Sequence, residues 1–365
     1  MNQSKQIIEM RQLPRYPWLD AIRFIAAFLV LVGHTRNDFF MTYGTLPAEQ
    51  QGIISFLFYS VGRLGHEAVI AFFVISGFLV GGRGLERIYK GSFERTSYVI
   101  DRTVRIVIPL VAAIVFCCIT YIIIGKDFSY WTVLGNLFSL QGILCHNLIS
   151  PFWSLAIEVW FYVLLFSISL IVDKKLLGLI ISFISALVFV KLGPYYLLLW
   201  FMGAFAYLCK PIVGGVGKSW ILYTSFIGIC VFCVLSLMGT DSGAVILPFK
   251  PNREMMGLFM SFFMCLFIQQ VILVQPNSRF TKKLNSVFSY LADFSYTLYL
   301  THRITLLLIF KYLYKKNSAA FDMQGLLRFA IIIAICLVVS WLIYLISEKH
   351  TAKVKLLIKS QFKIN

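Results

Sequence analysis

Residues 19–38 form an apolar run that begins LDAIRFIAAFLVLVGH at 19–34 and is long enough to cross a bilayer. Two ionisable side chains, Arg23 and His34, interrupt it. Such side chains are costly in lipid, so within a span they face the protein interior by default. This stretch therefore predicts a membrane-spanning helix with one polar face.

Apolar runs of this kind recur along the 365 residues, of which 59% are hydrophobic and 13% charged. So few charged residues cannot cover a water-soluble globule of this size, which leaves lipid as the solvent. We expect an all-α, polytopic transmembrane helical bundle with about ten spans. The predicted spans are 19–38, 64–83, 104–124, 151–172, 175–192, 194–209, 219–239, 255–275, 287–311 and 325–347. A shorter apolar stretch, 130–145, is predicted to be interfacial or re-entrant.

The chain is predicted to be a single integral domain, 1–365, with short cytoplasmic tails at 1–17 and 349–365. Its net charge is +17, from 33 Lys and Arg against 16 Asp and Glu. No nucleic-acid-binding motif accompanies the excess, so nucleic acid is not an expected partner. Cationic residues concentrate in the tails and in alternate connections, which predicts cytoplasmic termini. Eight cysteines show no metal-ligand or disulfide pattern, so no metal is expected.

The opening helix aligns Arg23 and His34, which are eleven positions apart. At about 100° per residue they share nearly the same face, separated by about 16 Å along the axis. Asp20 lies about one turn before Arg23. Each residue alone also fits a structural role, snorkelling for Arg23 and an interfacial position for His34. Together on one face they favour a functional site.

Two further spans carry polar residues. Glu158 lies deep in PFWSLAIEVWFYVL at 151–164, with Ser154 one turn earlier on the same face. A lone glutamate at that depth favours proton transfer or ion pairing over packing. Ser76 and Gly77 lie in HEAVIAFFVISGFLVGG at 66–82, where small residues are typical of close helix packing.

A polar stripe follows one face of the segment FSYTLYLTHR at 294–303. Ser295, Tyr299 and His302 have the spacing i, i+4 and i+7. Hydrogen bonding between helices and a part in a binding site explain this stripe equally well. Arg102 and Arg105 stand one turn apart in YVIDRTVRIVIPL, a pattern suited to a cytoplasmic phosphate clamp.

Taken together, these motifs resemble the membrane acyltransferase-3 family, in the family's order and over nearly the whole chain. The matching elements are Arg23-x10-His34, FFVISGFLV at 72–80, Arg102-x-x-Arg105, WSLAIE at 153–158 and SYTLYLTH at 295–302. The resemblance implies a multi-pass protein of the bacterial cytoplasmic (inner) membrane. It also implies transfer of an acetyl group from acetyl-CoA to a hydroxyl of lipopolysaccharide O-antigen, capsule or a related glycan.

The same resemblance assigns expected roles to the residues. His34 would be essential. From the chemistry of acyl transfer we expect it to act as a base or as a covalent acetyl carrier, with Glu158 orienting it or stabilising its charged form. Arg23, Arg102 and Arg105 would engage acetyl-CoA, a donor substrate rather than a bound cofactor. Asp20, Ser76, Ser154, Ser295, Tyr299 and His302 would contact substrate or support the site. The alternative is a transporter or flippase of glycans or lipid-linked sugars, with the buried His and Glu as a proton relay.

Overall fold

A computed structural model of the chain describes residues 16–209, 211, 215–238 and 251–362. Throughout those residues the secondary structure is helical and contains no β-strand, which confirms the predicted all-α class. The helices are α1 (Pro17–Phe39), α2 (Ile53–Val61), α3 (Gly65–Ser76), α4 (Arg83–Tyr89), α5 (Arg95–Ile124), α6 (Tyr130–Leu137), α7 (Phe152–Val172), α8 (Leu176–Leu192), α9 (Pro194–Leu208), α10 (Gly215–Met238), α11 (Arg253–Val271), α12 (Arg279–Asp293), α13 (Ser295–Tyr312), α14 (Met323–Ile346) and α15 (Thr351–Gln361). A π-helical segment, Gly77–Gly82, joins α3 to α4.

Seven helical stretches in the described residues are long and apolar enough to cross a membrane, or up to eight when a bent pair counts as one span. The predicted number of ten is therefore not confirmed. Helices α8 and α9 match the predicted spans 175–192 and 194–209, but they meet at a bend of 117° and form that pair. The bend falls at Gly193, whose φ of +113° suits glycine and few other residues.

Two other predicted segments differ in detail. The predicted span 287–311 is divided between α12 and α13, which meet at Phe294. The apolar stretch 130–145 contains the short helix α6 and then a turn that Asn136 holds in place. The Asn136 amide donates to the carbonyl of His146 over 2.9 Å and accepts from the backbone N–H of Leu148 over 3.0 Å.

Small residues bring α3, the π-helical segment and α9 into close contact. A Cβ atom at Gly77 would lie 2.0 Å from the carbonyl oxygen of Trp200, and one at Gly203 would lie 2.1 Å from that of Val74. Substitution at either glycine would therefore force the backbones apart. This close approach fits the packing role predicted for Gly77.

The spans that carry the polar motifs pack together at the centre of the bundle. Helix α1 packs against α3 and α13, and α13 also packs against α5. Residues 351–361 of the predicted C-terminal tail form α15, which lies along α5. There Lys355 and Lys359 pair with Asp101 over 2.9 and 3.0 Å. The N-terminal tail and most of the loop 240–254 lie outside the described residues, and the cytoplasmic placement of the termini stays a prediction.

Candidate active site

A cavity of about 1090 Å³ lies at the C-terminal end of α1 and contains His34 in its wall. We call it the His34 cavity. Its wall is built from α1, from α2 and the turns that flank it, and from the starts of α3, α7 and α11, together with one residue of α13. Thr42 and Gly44 line its mouth and are exposed, so the cavity opens to the surface at this end of the bundle.

A second cavity, of about 280 Å³, lies nearer the N-terminal end of α1. We call it the arginine cavity. All three arginines predicted to engage the donor line it, and so do several of the predicted polar residues. These lining residues are Arg23, Ser76, Arg102, Arg105, Ser154, Glu158 and Ser295. The fold thus gathers them from α1, α3, α5, α7 and α13.

Tyr299 and Val69 line both cavities, so the two spaces adjoin at these side chains. The hydroxyl groups of Tyr299 and Ser154 are hydrogen-bonded to each other at 2.6 Å and buried. Ser154 also donates to the carbonyl of Pro151 over 3.2 Å. Because Ser154 donates its single hydroxyl hydrogen to that carbonyl, its oxygen accepts the hydrogen bond from the Tyr299 hydroxyl. A polar contact therefore stands where a molecule would pass from one cavity to the other.

The arginines in this cavity differ in their partners. Arg23 pairs with Asp20 over 3.1 Å. The guanidinium of Arg102 lies over the ring of Tyr162, 5.5 Å from its centroid. Arg105 is exposed towards the cavity and has no hydrogen bond or ion pair with any residue that the structure describes. Arg105 is therefore free to bind an anion that enters the cavity.

Glu158 does not have the partner predicted for it. Its carboxylate accepts a hydrogen bond from Tyr162, one turn later on α7, and lines the arginine cavity. No hydrogen bond or ion pair in the described part of the chain joins it to His34. The charges of Glu158 and of Glu348 act instead on Arg23 and Arg105. The structure does not bring Glu158 against His34, because the two side chains line different cavities, and the orienting role expected of Glu158 stays a prediction.

His34 has another imidazole as its neighbour. The rings of His34 and His302 stack with centroids 5.4 Å apart. His302 is fully buried, and its Nδ1 lies 2.9 Å from the carbonyl oxygen of Leu298. A carbonyl can only accept, so Nδ1 carries the hydrogen and neutral His302 has its lone pair on Nε2. His302 thus supports the His34 ring from the side away from the cavity, whose wall it does not join.

The remaining predicted residues occupy supporting positions. Ser295 donates to the carbonyl of Ala292 over 2.8 Å. The hydroxyl oxygen of Ser76 is buried and has no partner among the described residues. Asp20 reaches the site only through Arg23, because it is absent from the lining of both cavities.

Several residues near the site were not predicted from the sequence. Asp38 lies one turn after His34 and pairs with Arg303, the neighbour of His302. The charges of both act on His34. Tyr162, the partner of Glu158, is four residues beyond it. Asp38 and Tyr162 could have been found from the sequence, because they lie at i+4 from His34 and from Glu158 on the same helices.

The sequence profile of the acyltransferase-3 family, described as an acyltransferase domain, matches residues 16–345. No curated protein and no solved structure matches the chain. With nearly its whole length covered by this profile, the chain belongs to the acyltransferase-3 family, and its class is a membrane acyltransferase.

Proposed function

We propose that the protein moves an acetyl group from acetyl-CoA to a hydroxyl of a cell-surface glycan, such as lipopolysaccharide O-antigen or capsule, and lies in a bacterial inner membrane. The observation that carries this proposal is the junction of two cavities at Tyr299. One cavity presents arginines and the other an imidazole. Cytoplasmic termini would put the arginines on the side where acetyl-CoA is found.

The donor would bind by its phosphates to Arg102 and Arg105. Guanidinium groups match phosphate oxygens in pairs of hydrogen bonds, and Arg105 makes no hydrogen bond or ion pair with any described residue. A volume of about 280 Å³ suits an extended chain better than a whole nucleotide. We therefore place the nucleotide at the cavity mouth and the pantetheine arm inside it, with the thioester pointing to Tyr299.

The acceptor would enter the His34 cavity from its exposed mouth. His34 takes the proton from the attacking hydroxyl, and the acceptor oxygen forms a bond to the carbonyl carbon of the thioester. The bond from that carbon to sulfur then breaks. The thiolate receives the proton and leaves as CoA, so one ester and one thiol replace one alcohol and one thioester. Arg303 and Asp38, paired beside the imidazoles, fix the surroundings of His34.

Tyr299 would stabilise the charge that develops on the thioester oxygen. Its hydroxyl stands where the cavities meet, and it already donates a hydrogen bond to Ser154. Turning that hydroxyl towards the thioester oxygen would supply a donor at the reacting carbon. Glu158, hydrogen-bonded to Tyr162 in the arginine cavity, would hold the arginines in place.

The test is a transfer assay on the purified full chain in proteoliposomes, with acetyl-CoA labelled in the acetyl group and surface glycan extracted from the host. The expected result is label bound covalently to the glycan by an ester that mild alkali releases. A transporter or flippase would instead move the glycan across the bilayer without labelling it. Glycan translocation with no label incorporated would overturn the proposal.

A further inference from the structure

The wall of the His34 cavity carries a second group of cations that the acyl-transfer chemistry does not use. Three arginines, Arg36, Arg63 and Arg253, line it together with His34 and His66. No aspartate or glutamate is among the described residues of this lining. A cavity that only admits a neutral sugar does not need such a wall.

Arg36 makes contacts that leave its charge uncompensated. Its guanidinium donates to the carbonyl of Gly62 over 3.4 Å and lies over the ring of Tyr59, 5.2 Å from the centroid. Its Nε is buried and has no partner among the described residues. Both partners are neutral, so they orient the guanidinium without removing its charge from the cavity.

Arg253 has a carboxylate partner, but that partner lies behind the wall. Its guanidinium is 3.1 Å from Glu67, whose side chain is 3% exposed against 35% for Arg253. Ser236 donates a second hydrogen bond to the same oxygen of Glu67 over 2.6 Å. Glu67 therefore anchors Arg253 from the protein side while the arginine faces the cavity.

The described charges at this wall leave a positive surplus. Arg36 and Arg253 face a single carboxylate there, that of Glu67, even before protonation of the histidines is considered. Guanidinium groups gathered around one cavity repel one another, and an anion bound between them would lower that repulsion. A carboxylate or phosphate group forms strong, charge-assisted hydrogen bonds with guanidinium. The exposed mouth at Thr42 and Gly44 gives such a group a path from solution.

We infer that the acceptor is an anionic sugar, whose carboxylate or phosphate binds at Arg36 and Arg253 and thereby presents a neighbouring hydroxyl to His34. This inference rests on the proposed function, because it takes the occupant of the His34 cavity to be the acceptor. It narrows the acceptor from glycans in general to those that contain a uronate or a sugar phosphate.

The inference is tested by binding, without need of acyl transfer. The full chain in lipid nanodiscs is titrated with methyl glucoside, methyl glucuronide or glucose 1-phosphate at constant ionic strength, and the thermal unfolding midpoint is followed. We expect at least one anionic sugar to bind roughly tenfold or more tightly than the neutral glucoside. The tighter of the two anions then identifies carboxylate or phosphate as the group recognised.

Two variants connect that preference to the arginines. Arg36→Gln removes one charge, and the double variant Glu67→Gln with Arg253→Gln removes both members of the buried pair, so that no carboxylate is left without a partner. Each should weaken binding of the anionic sugar by roughly tenfold and leave the glucoside unchanged. Arg279→Gln, an exposed arginine outside both cavities, is the matched control and should bind as the parent does.

Equal binding of neutral and anionic sugars, binding of neither anion, or full anion binding in both variants would each overturn the inference. The labelled transfer assay and the sugar-binding assay test the proposed reaction and the anionic acceptor independently. Anion binding without label transfer would leave the inference standing and contradict the proposed reaction. Transfer of label to glycan without any preference for anionic sugars would support the proposed reaction and contradict the inference.

Discussion

The two cavities are both cationic and share part of their wall, yet each also uses elements that the other does not. The arginine cavity lies mainly between long helices, and its charged side chains project from α1, α4, α5 and α7. The His34 cavity is closed largely by short turns and by α2, which contribute Tyr43, Tyr59 and Ser60. A rigid helical wall suits a donor that is the same in every turnover. Turns at an open mouth suit an acceptor that must enter and leave.

The contrast also separates the roles of the polar residues. Ionisable groups on the arginine side include Glu158, whereas the described lining of the His34 cavity has imidazoles and no carboxylate. Tyr299 belongs to both sides. Variants on the arginine side should therefore change the donor KM, and those at His34 or Tyr299 should change kcat.

The largest effect is expected at His34. His34→Gln should lower kcat by about 10³-fold, the usual contribution of a general base, with little change in the donor KM. The measurement is steady-state transfer of labelled acetyl groups, with the amount of inserted protein checked in parallel. His146→Gln, at an exposed histidine outside both cavities, is the matched control. A normal kcat in the His34 variant would contradict the role of His34 as the general base.

Tyr299→Phe keeps the ring and removes the hydroxyl at the junction. We expect kcat to fall by about 10²-fold, as for loss of one donor to a developing oxyanion. The double variant Ser154→Ala with Tyr299→Phe should fall no further, because Ser154 would act only through Tyr299. Tyr89→Phe, at a tyrosine that is 90% exposed, controls for the substitution. A much lower kcat in the double variant would show that Ser154 acts on its own.

Arg102→Gln and Arg105→Gln should each raise the donor KM by about tenfold and change kcat by only a few-fold, since each removes a charge-assisted contact to phosphate. Acetyl-CoA titrations at fixed acceptor concentration measure both constants, and Arg279→Gln again supplies the control. An unchanged donor KM in both variants would contradict the proposal that Arg102 and Arg105 bind the nucleotide phosphates.

Glu158→Gln is expected to change kcat and the donor KM least. It tests whether Glu158 acts on the arginines of its own cavity or on His34. The amide oxygen can still accept from Tyr162, so the local structure should persist. We expect a donor KM within about threefold of the parent and a similar kcat, the size of effect expected for one partly compensated charge. A fall in kcat as large as that expected for His34→Gln would instead indicate that Glu158 acts together with His34 in the reaction.

Much of the fold followed from local pattern. Apolar runs and the 3.6-residue period predicted the all-helical class and the shared face of Arg23 and His34. The stripe of Ser295, Tyr299 and His302 was likewise predicted from spacing along a single helix. Ser295 and Tyr299 line the arginine cavity, whereas His302 stacks against His34.

Contacts between distant helices could not be predicted in this way. The bend at Gly193 depends on φ at one residue, and hydropathy does not report that angle. The pairing of Glu67 with Arg253 joins α3 to α11 across 186 positions. Glu158 was assigned to His34 because both are polar in apolar spans, but the two residues line different cavities, and that placement depends on how the helices pack.

Whether the donor binds in the arginine cavity with its thioester at Tyr299 is tested most directly by a structure of the full chain bound to an acetyl-CoA analogue in which a methylene group replaces the thioester sulfur. We predict that its phosphates contact Arg102 and Arg105 and that its carbonyl oxygen lies within hydrogen-bonding distance of the Tyr299 hydroxyl, facing His34. An analogue bound with its phosphates at Arg36 and Arg253, or with its carbonyl outside both cavities, would contradict the account.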